Sequence, residues 1–125
     1  NGTTATINFT TEIFDQNADY DGTNTFTAPF TGRFPLTYSV QMSSMTDATT
    51  GEMLIVATNR SFSTNLSNYT AINVSGITSF TMSVFVDMDA MDTTICRIAL
   101  TGIGADTADA SISETRTYFG GYLVC

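Results

Sequence analysis

The sequence predicts an all-β protein in which two sheets pack face to face. Apolar and polar residues alternate along several short stretches, the pattern of strands that bury one face. Turn-forming pairs such as Asp21-Gly22 and Ser75-Gly76 separate these stretches. No window keeps apolar residues at helical spacing, and the 24 threonines lower helix propensity throughout. We therefore expect at most one helical turn, near residues 44–50.

Each predicted strand has an apolar face. The alternating stretches are residues 6–14, 34–40, 53–58, 80–86, 94–100 and 118–124. The two-residue period gives one face to Phe34, Leu36, Tyr38 and Val40, another to Cys96, Ile98 and Leu100, and a third to Phe119, Gly121, Leu123 and Cys125. Faces of this kind need a second sheet to cover them, so they favour a sandwich.

The composition fits a single folded domain over residues 1–125. A hydrophobic fraction of 42%, with 9 Phe and 5 Tyr, supplies a core. Twelve acidic residues against four Arg give a net charge of −8, which repels phosphate backbones and anionic lipid headgroups. The longest apolar run, residues 53–57, is far shorter than the roughly 20 residues that span a bilayer. We expect neither nucleic-acid binding nor membrane insertion.

An ordered aromatic ladder occupies the first third of the chain. Its spacing is F-x5-D-x4-Y-x5-F-x5-G-x-F-x-L-x-Y, carried by Phe9, Asp15, Tyr20, Phe26, Gly32, Phe34, Leu36 and Tyr38. This ladder closely resembles the signature of the complement C1q globular head. Residues 86–93 resemble the turn that the family writes as L-x-x-G-D-x-V, with Met91 in place of its Gly. Residues 118–123 are similar to its F-x-G-F/Y-L ending, so the resemblance spans the chain.

The resemblance implies a fold and a kind of function. The fold is a two-sheet jelly-roll sandwich of about ten antiparallel strands, C1q-like and tumour-necrosis-factor-like, that forms a homotrimer. Residues 14–19 and 25–29 look most like C1q-like domains at the tips of phage and bacterial fibre proteins. The implied function is a trimeric extracellular binding module, the receptor-recognising distal domain of a viral fibre. Its partner would be a cell-surface glycan or protein receptor, and its location extracellular or on the virion surface.

Two other functions stay open. One is a secreted C1q-like pattern-recognition or adhesion domain, and the other is a purely structural assembly or capping domain of a capsid, filament or surface layer. Asn-x-Ser/Thr triplets start at Asn1, Asn8, Asn59, Asn65, Asn68 and Asn73. Glycans on these residues would favour the secreted domain. Asn8 is expected inside a strand, which favours ordinary polar composition instead.

The resemblance also guides expectations for the cysteines and for the outward side chains. In the family's strand order, the strand after Gly32 lies between the Thr94 strand and the C-terminal strand. Two strand spacings, about 9.6 Å, exceed the limit of about 7 Å for a disulfide. We therefore expect Cys96 and Cys125 to be unpaired. Three side chains point outward by parity and are candidates for contacts between chains: Arg97, Tyr118 and Tyr122. A solvated Arg97 is the alternative.

The sequence offers little catalytic or metal chemistry. Residues 15–22 space oxygen ligands as calcium loops do, but counting from Asn17 puts Ala28 at the twelfth position, where a bidentate Glu is needed. A calcium site is thus the alternative to a solvated acidic loop. The chain has no His and no Lys, and Asp87, Asp89 and Asp92 fall in a predicted turn. We expect no enzyme activity, no cofactor, and no catalytic, cofactor-binding or metal residues.

Overall fold

The computed structural model describes residues 4–13, 15, 17–45, 48–67, 76–102 and 108–124. These residues form β1 (Thr4–Thr6), β2 (Thr25–Thr27), β3 (Gly32–Ser43), β4 (Thr50–Ala57), β5 (Ser61–Ser67), β6 (Thr78–Met88), β7 (Thr93–Thr101), β8 (Asp109–Ala110) and β9 (Tyr118–Gly121). No helix occurs among them, so the all-β prediction is confirmed. No helix includes the described part of residues 44–50, although the Ala48 amide donates to the Met45 carbonyl at 3.2 Å; residues 46–47 lie outside the described residues.

The strands form two antiparallel sheets arranged as a sandwich. One sheet has the order β1-β7-β4-β5, and β2 pairs with β7 at a different point along it from β1. The other has the order β6-β3-β8, and β9 pairs with β3 further along that strand. Long central strands therefore carry two short partners on one edge. β5 and β6 lie at the opposite edges of their sheets.

Two of the three predicted inward faces meet in one core; in the third, Phe119 packs against that core but Leu123 is 41% exposed. β3 buries Phe34, Leu36, Tyr38 and Val40, and pairs with β6 along its length. β7 buries Cys96, Ile98 and Leu100 from the other sheet. The two-residue period places these side chains on one side of each strand, where burial of each removes apolar surface from water. The alternation of apolar and polar residues therefore predicts the two-layer arrangement that the structure shows.

The rings of the aromatic ladder pack with Phe119 of β9 as one cluster between the sheets. The ladder rings are those of Phe9, Tyr20, Phe26, Phe34 and Tyr38. Phe9 meets Tyr38 edge-on at 5.9 Å between centroids, and Phe26 meets Phe34 edge-on at 5.6 Å. Edge-to-face contacts of this kind add stability beyond the buried area. The cluster fills the sandwich on the side where β1, β2 and β9 lie.

One predicted strand is mostly wrong. The stretch 6–14 contributes only the end of β1, and residues 7–13 carry no strand. Phe9 still packs in the core, and its amide donates to the Thr23 carbonyl at 2.8 Å. Asn8 is exposed and lies outside any strand; its side-chain oxygen accepts a hydrogen bond from Asn24 at 3.1 Å. An extended segment can keep an alternating pattern without pairing in a sheet.

One of the two expected neighbours of β3 is wrong. β3 pairs with the C-terminal strand β9 as expected, but its other neighbour is β6, because Thr94 belongs to β7 in the opposite sheet. The spacing argument about the two cysteines therefore does not hold. Cys96 is nevertheless a buried free thiol. Cys125 lies outside the described residues.

The outward residues divide between two faces. Arg97 lies on β7, while Tyr118 lies on β9 and Tyr122 follows it. These strands belong to different sheets, so Arg97 and the two tyrosines occupy opposite outer faces of the sandwich. A single axis beside one sheet cannot receive both sets. Arg97 is half-buried, and its Nε is buried without a hydrogen-bond partner among the described residues.

Candidate functional site

Three loops meet at one end of the sandwich and are referred to here as the tip: residues 28–31, 58–60 and 89–92. They connect β2 to β3, β4 to β5 and β6 to β7. Ala28 joins the first loop to the third, because its amide donates to the Asp92 carbonyl and its carbonyl accepts from the Met91 amide, both at 2.8 Å. The amide of Thr58 donates to the carbonyl of Thr93 at 3.0 Å. Backbone bonds therefore fix the three loops together.

Aspartates of the predicted turn complete this framework. Asp92 Oδ2 accepts from the Asp89 amide at 2.9 Å and from Asn59 Nδ2 at 2.7 Å. Thr31 Oγ1 accepts from the Ala90 amide at 3.1 Å. The predicted turn between two core strands is confirmed, and Asp92 holds it by satisfying donors that the turn leaves open.

The tip exposes two large apolar side chains. Phe30 is 61% exposed and Met91 is 77% exposed. Met91 also has a φ of 76°, a left-handed conformation that favours glycine. Strained backbone that presents an exposed side chain is typical of functional loops. The tip thus presents the Met91 side chain on a backbone conformation that glycine adopts more readily.

A cleft of about 410 Å³ lies beside the tip. It opens between β5 and β6, the edge strands of the two sheets. Its apolar lining comes from Phe62, Val86 and Met88, and its charged lining includes Arg33, Arg60, Asp87 and Asp89. A volume of this size falls in the range of small-ligand sites.

The charged groups of the cleft are only partly engaged with one another. Arg33 Nε donates to Asp87 Oδ1 at 2.9 Å across paired strands, with both side chains about three-quarters exposed at 74% and 75%. Exposed pairs contribute about 0–1 kcal/mol, so this one positions the groups more than it stabilises the fold. The Arg60 guanidinium lies 6.0 Å from the centre of the Phe62 ring. The cleft thus presents donors, acceptors and an aromatic ring together.

The acidic loop considered for calcium is organised around its own backbone. Asp21 Oδ1 accepts from the amides of Thr23, Asn24 and Thr25 at 2.8–3.0 Å. Asp15 Oδ2 accepts from the Tyr20 amide at 2.8 Å. These backbone N–H groups lower the pKa of both carboxyls, because they stabilise the charged form. The described residues hold no group of three metal-ligating side chains.

Buried polar groups lie inside the aromatic core. The hydroxyls of Tyr20 and Tyr38 are buried without a hydrogen-bond partner among the described residues. Burial raises the pKa of Tyr20 to about 12 and also raises that of Tyr38. Burial likewise raises the pKa of the Cys96 thiol, which keeps it protonated and poorly nucleophilic.

The polar residues predicted to form a ligand surface lie only partly within the described residues. Asn59 lines the cleft, and Asn65 is exposed on β5. Residues 68–75, including the rest of the polar cluster expected to suit ligands, lie outside the described residues. Sequence reasoning missed Phe30, Arg60 and Phe62. The sequence feature that could have located these residues is the antiparallel connectivity, because it brings alternate loops to the same end of a sandwich.

No helix in the described part of the chain is both long and apolar enough to cross a membrane. Comparison with known proteins matched no family model, and no curated protein matched the chain.

Proposed function

We propose that the chain is a C1q-like jelly roll that acts as a homotrimeric extracellular binding module, the receptor-recognising distal domain of a viral fibre or appendage. The observation that carries this proposal is the outer face of the β6-β3-β9 sheet. Three aromatic residues are exposed there: Phe85 by 70%, Tyr122 by 68% and Tyr118 by 41%. This surface is referred to below as the tyrosine face. Exposed aromatic residues on one face are typical of protein interfaces.

Sheet register supports a continuous apolar row on the tyrosine face. Phe85 pairs with Pro35. Gly121 pairs with Leu36, and Val124 forms a bridge with Arg33, so the same register brings Tyr122 opposite Pro35. A row of an aromatic ring, a proline and a second aromatic ring would bury substantial apolar surface against another copy.

The polar groups between the aromatic residues are suited to burial. Thr37 Oγ1 and Ser83 Oγ lie 2.9 Å apart, and Thr81 Oγ1 donates to Ser39 Oγ at 3.2 Å. Hydroxyls that already bond to one another lose little when water is removed. The face therefore combines apolar area with polar groups that are satisfied within one chain, as contact between copies requires.

Trimer formation would repeat the tip three times. Each trimer would then display three equivalent copies of Phe30, Met91 and the cleft. Individually weak, millimolar sites gain on the order of a hundredfold or more when they engage one surface together. A cell-surface glycan or protein receptor is the partner that such display fits, at an extracellular or virion surface.

Binding to intact cells tests recognition. Fluorescent wild-type protein and Tyr122→Asp are each incubated with a panel of bacterial and animal cells. Saturable binding by the wild type, reduced in the variant as the trimer is lost, supports the proposal. A trimer that binds no cell and associates further into larger arrays contradicts it and favours an assembly domain.

A further inference from the structure

We infer that the cleft between β5 and β6 binds a neutral sugar unit of a glycan. The inference rests on the proposed function, since it names the class of receptor that the tip recognises. The cleft is about 410 Å³ and lies beside the exposed tip loops. That volume accommodates one sugar ring with part of its neighbour.

The charge balance of the cleft selects against ionic ligands. Arg33, Arg60, Asp87 and Asp89 line it, so two positive and two negative side chains border the same space, and Arg33 is already paired with Asp87. An anionic ligand drawn to the guanidinium groups is repelled by the carboxylates. A cationic ligand drawn to the carboxylates is repelled by the guanidinium groups. A chain with a net charge of −8 further disfavours anions. A neutral ligand has no such cost.

Hydrogen-bonding capacity points to hydroxyl groups. Asp87 uses Oδ1 to accept from Arg33 Nε, and Oδ2 has no partner among the described residues. The terminal nitrogens of Arg33 and Arg60 make no hydrogen bond or ion pair with described residues. Since a hydroxyl both donates and accepts, a polyol can satisfy the carboxylates and the guanidinium groups together. Hydrogen bonds to ionised groups are about twice as strong as neutral ones.

The apolar lining suits the C–H face of a sugar ring. Phe62 is half-buried and packs against the core, next to Val86 and Met88. The face of an aromatic ring carries partial negative charge, which attracts C–H groups polarised by neighbouring oxygens. The Arg60 guanidinium lies over this ring, 6.0 Å from its centre, so hydrogen-bond donors and the aromatic ring are neighbours in the cleft. The aromatic ring, the hydrogen-bond donors and the acceptors therefore line the same cleft.

The test is an NMR titration of the whole, isotope-labelled chain. The probes are the methyl glycosides of glucose, galactose, mannose and N-acetylglucosamine, with sialic acid and lysine amide as charged probes. We expect at least one neutral glycoside to shift the amides of Gly32, Arg60 and Asp87 saturably at millimolar concentration. The charged probes should bind more weakly or not at all.

Three variants sharpen the titration. Arg60→Ala removes donors, and Phe62→Leu keeps an apolar side chain but removes the ring; each should weaken glycoside binding by about tenfold or more. Arg116→Ala is the matched control, because Arg116 is an exposed arginine that donates to Gln41 away from the cleft. It should bind as the wild type does. Dispersed amide spectra establish that each variant is folded.

The inference is overturned if no neutral glycoside shifts the cleft amides, if a charged probe binds more tightly, or if folded Arg60→Ala and Phe62→Leu both keep wild-type affinity. Sedimentation and cell binding of the same preparation separate this failure from that of the proposed function. A trimer that binds cells without a sugar in the cleft overturns the inference alone. A monomer that binds sugar in the cleft upholds the inference and overturns the proposed assembly.

Discussion

The amide of Met91 donates to the carbonyl of Ala28 at 2.8 Å while Met91 holds a φ of 76°. This bond ties the β6–β7 turn to the β2–β3 loop and leaves the Met91 side chain exposed at the tip. A left-handed conformation costs an L-residue with a side chain about 1–2 kcal/mol. The tip therefore keeps a side chain at an energetic cost.

Replacement of Met91 by Gly should stabilise the protein. We expect the free energy of unfolding to rise by up to about 1 kcal/mol, because glycine relieves the strain but loses more backbone entropy on folding. Urea unfolding followed by circular dichroism measures the change. Met91→Ala removes the same side chain but keeps the strain, so it should give no such gain. A loss of stability in Met91→Gly would contradict the account of the turn.

Adjacent glycines of β9 should respond differently to alanine. A Cβ on Gly121 would lie 2.5 Å from Leu36 Cδ2 and 3.0 Å from the Pro35 carbonyl oxygen. Leu36 is fully buried, so it has little room to move. We expect Gly121→Ala to lower the free energy of unfolding by about 1–3 kcal/mol, the usual cost of overpacking. Thermal unfolding reports the loss.

Gly120 provides the matched control for Gly121. A Cβ on Gly120 would meet nothing within 4 Å, because this residue points away from the core. Gly120→Ala should therefore unfold at nearly the wild-type temperature. Equal destabilisation by the two substitutions would mean that β9 does not pack on β3 as described.

Alkaline pH should destabilise the fold through Tyr20. Burial raises its folded-state pKa from an ordinary 10.0 to about 12. A raised folded pKa contributes stability that is fully present below pH 10 and is lost as the pH rises through about 12. Tyr20→Phe keeps the ring and removes the ionisation, so its stability should fall less over this interval.

Unfolding midpoints measured between neutral and alkaline pH test the Tyr20 prediction. Burial also raises the pKa of Tyr38, so Tyr20→Phe should keep part of the alkaline loss. Identical alkaline profiles for the wild type and Tyr20→Phe would show that the Tyr20 hydroxyl is not buried.

Calcium should leave the melting temperature unchanged. Asp21 Oδ1 already accepts three backbone amides and Asp15 accepts from Tyr20, so a calcium ion would have to compete with the bonds that shape the loop. Differential scanning calorimetry with added calcium, against magnesium at equal ionic strength, makes the comparison. A rise with calcium alone would establish a site in this loop.

Sequence alternation predicted β3, β4, β6 and β7, because each of these strands buries one face; the stretch 118–124 contains all of β9 but runs past its end at Gly121. It missed β5, where only Phe62 and Leu66 are apolar and the residues between them are polar. It also overestimated the strand at residues 6–14, since alternation records which side chains are buried and not whether the backbone is paired. Two-residue β8 is too short to carry a pattern.

The candidate site was harder to predict than the fold. Arg33, Arg60 and Asp87 come from separate strands and loops, and only the sheet topology brings them to one cleft. The only sequence signal for the turn at Met91 was a resemblance, since the C1q turn pattern has Gly at the position where the structure has a positive φ. The pairing of Asn59 with Asp92 had none, since the two residues lie 33 positions apart.

A charge on the tyrosine face should break the proposed trimer. Tyr122→Asp would place three carboxylates where copies meet, and burial of an unpaired charge is strongly unfavourable. We expect its sedimentation to shift from trimer towards monomer. Ser63→Asp is the control, because Ser63 is exposed on β5 in the other sheet. It should sediment as the wild type does.

Sedimentation velocity of the wild-type chain over a range of concentrations tests the trimer most directly. The proposed assembly predicts a main species with three times the 13.4 kDa mass of one chain. A stable, folded species of 13.4 kDa at every concentration would contradict it.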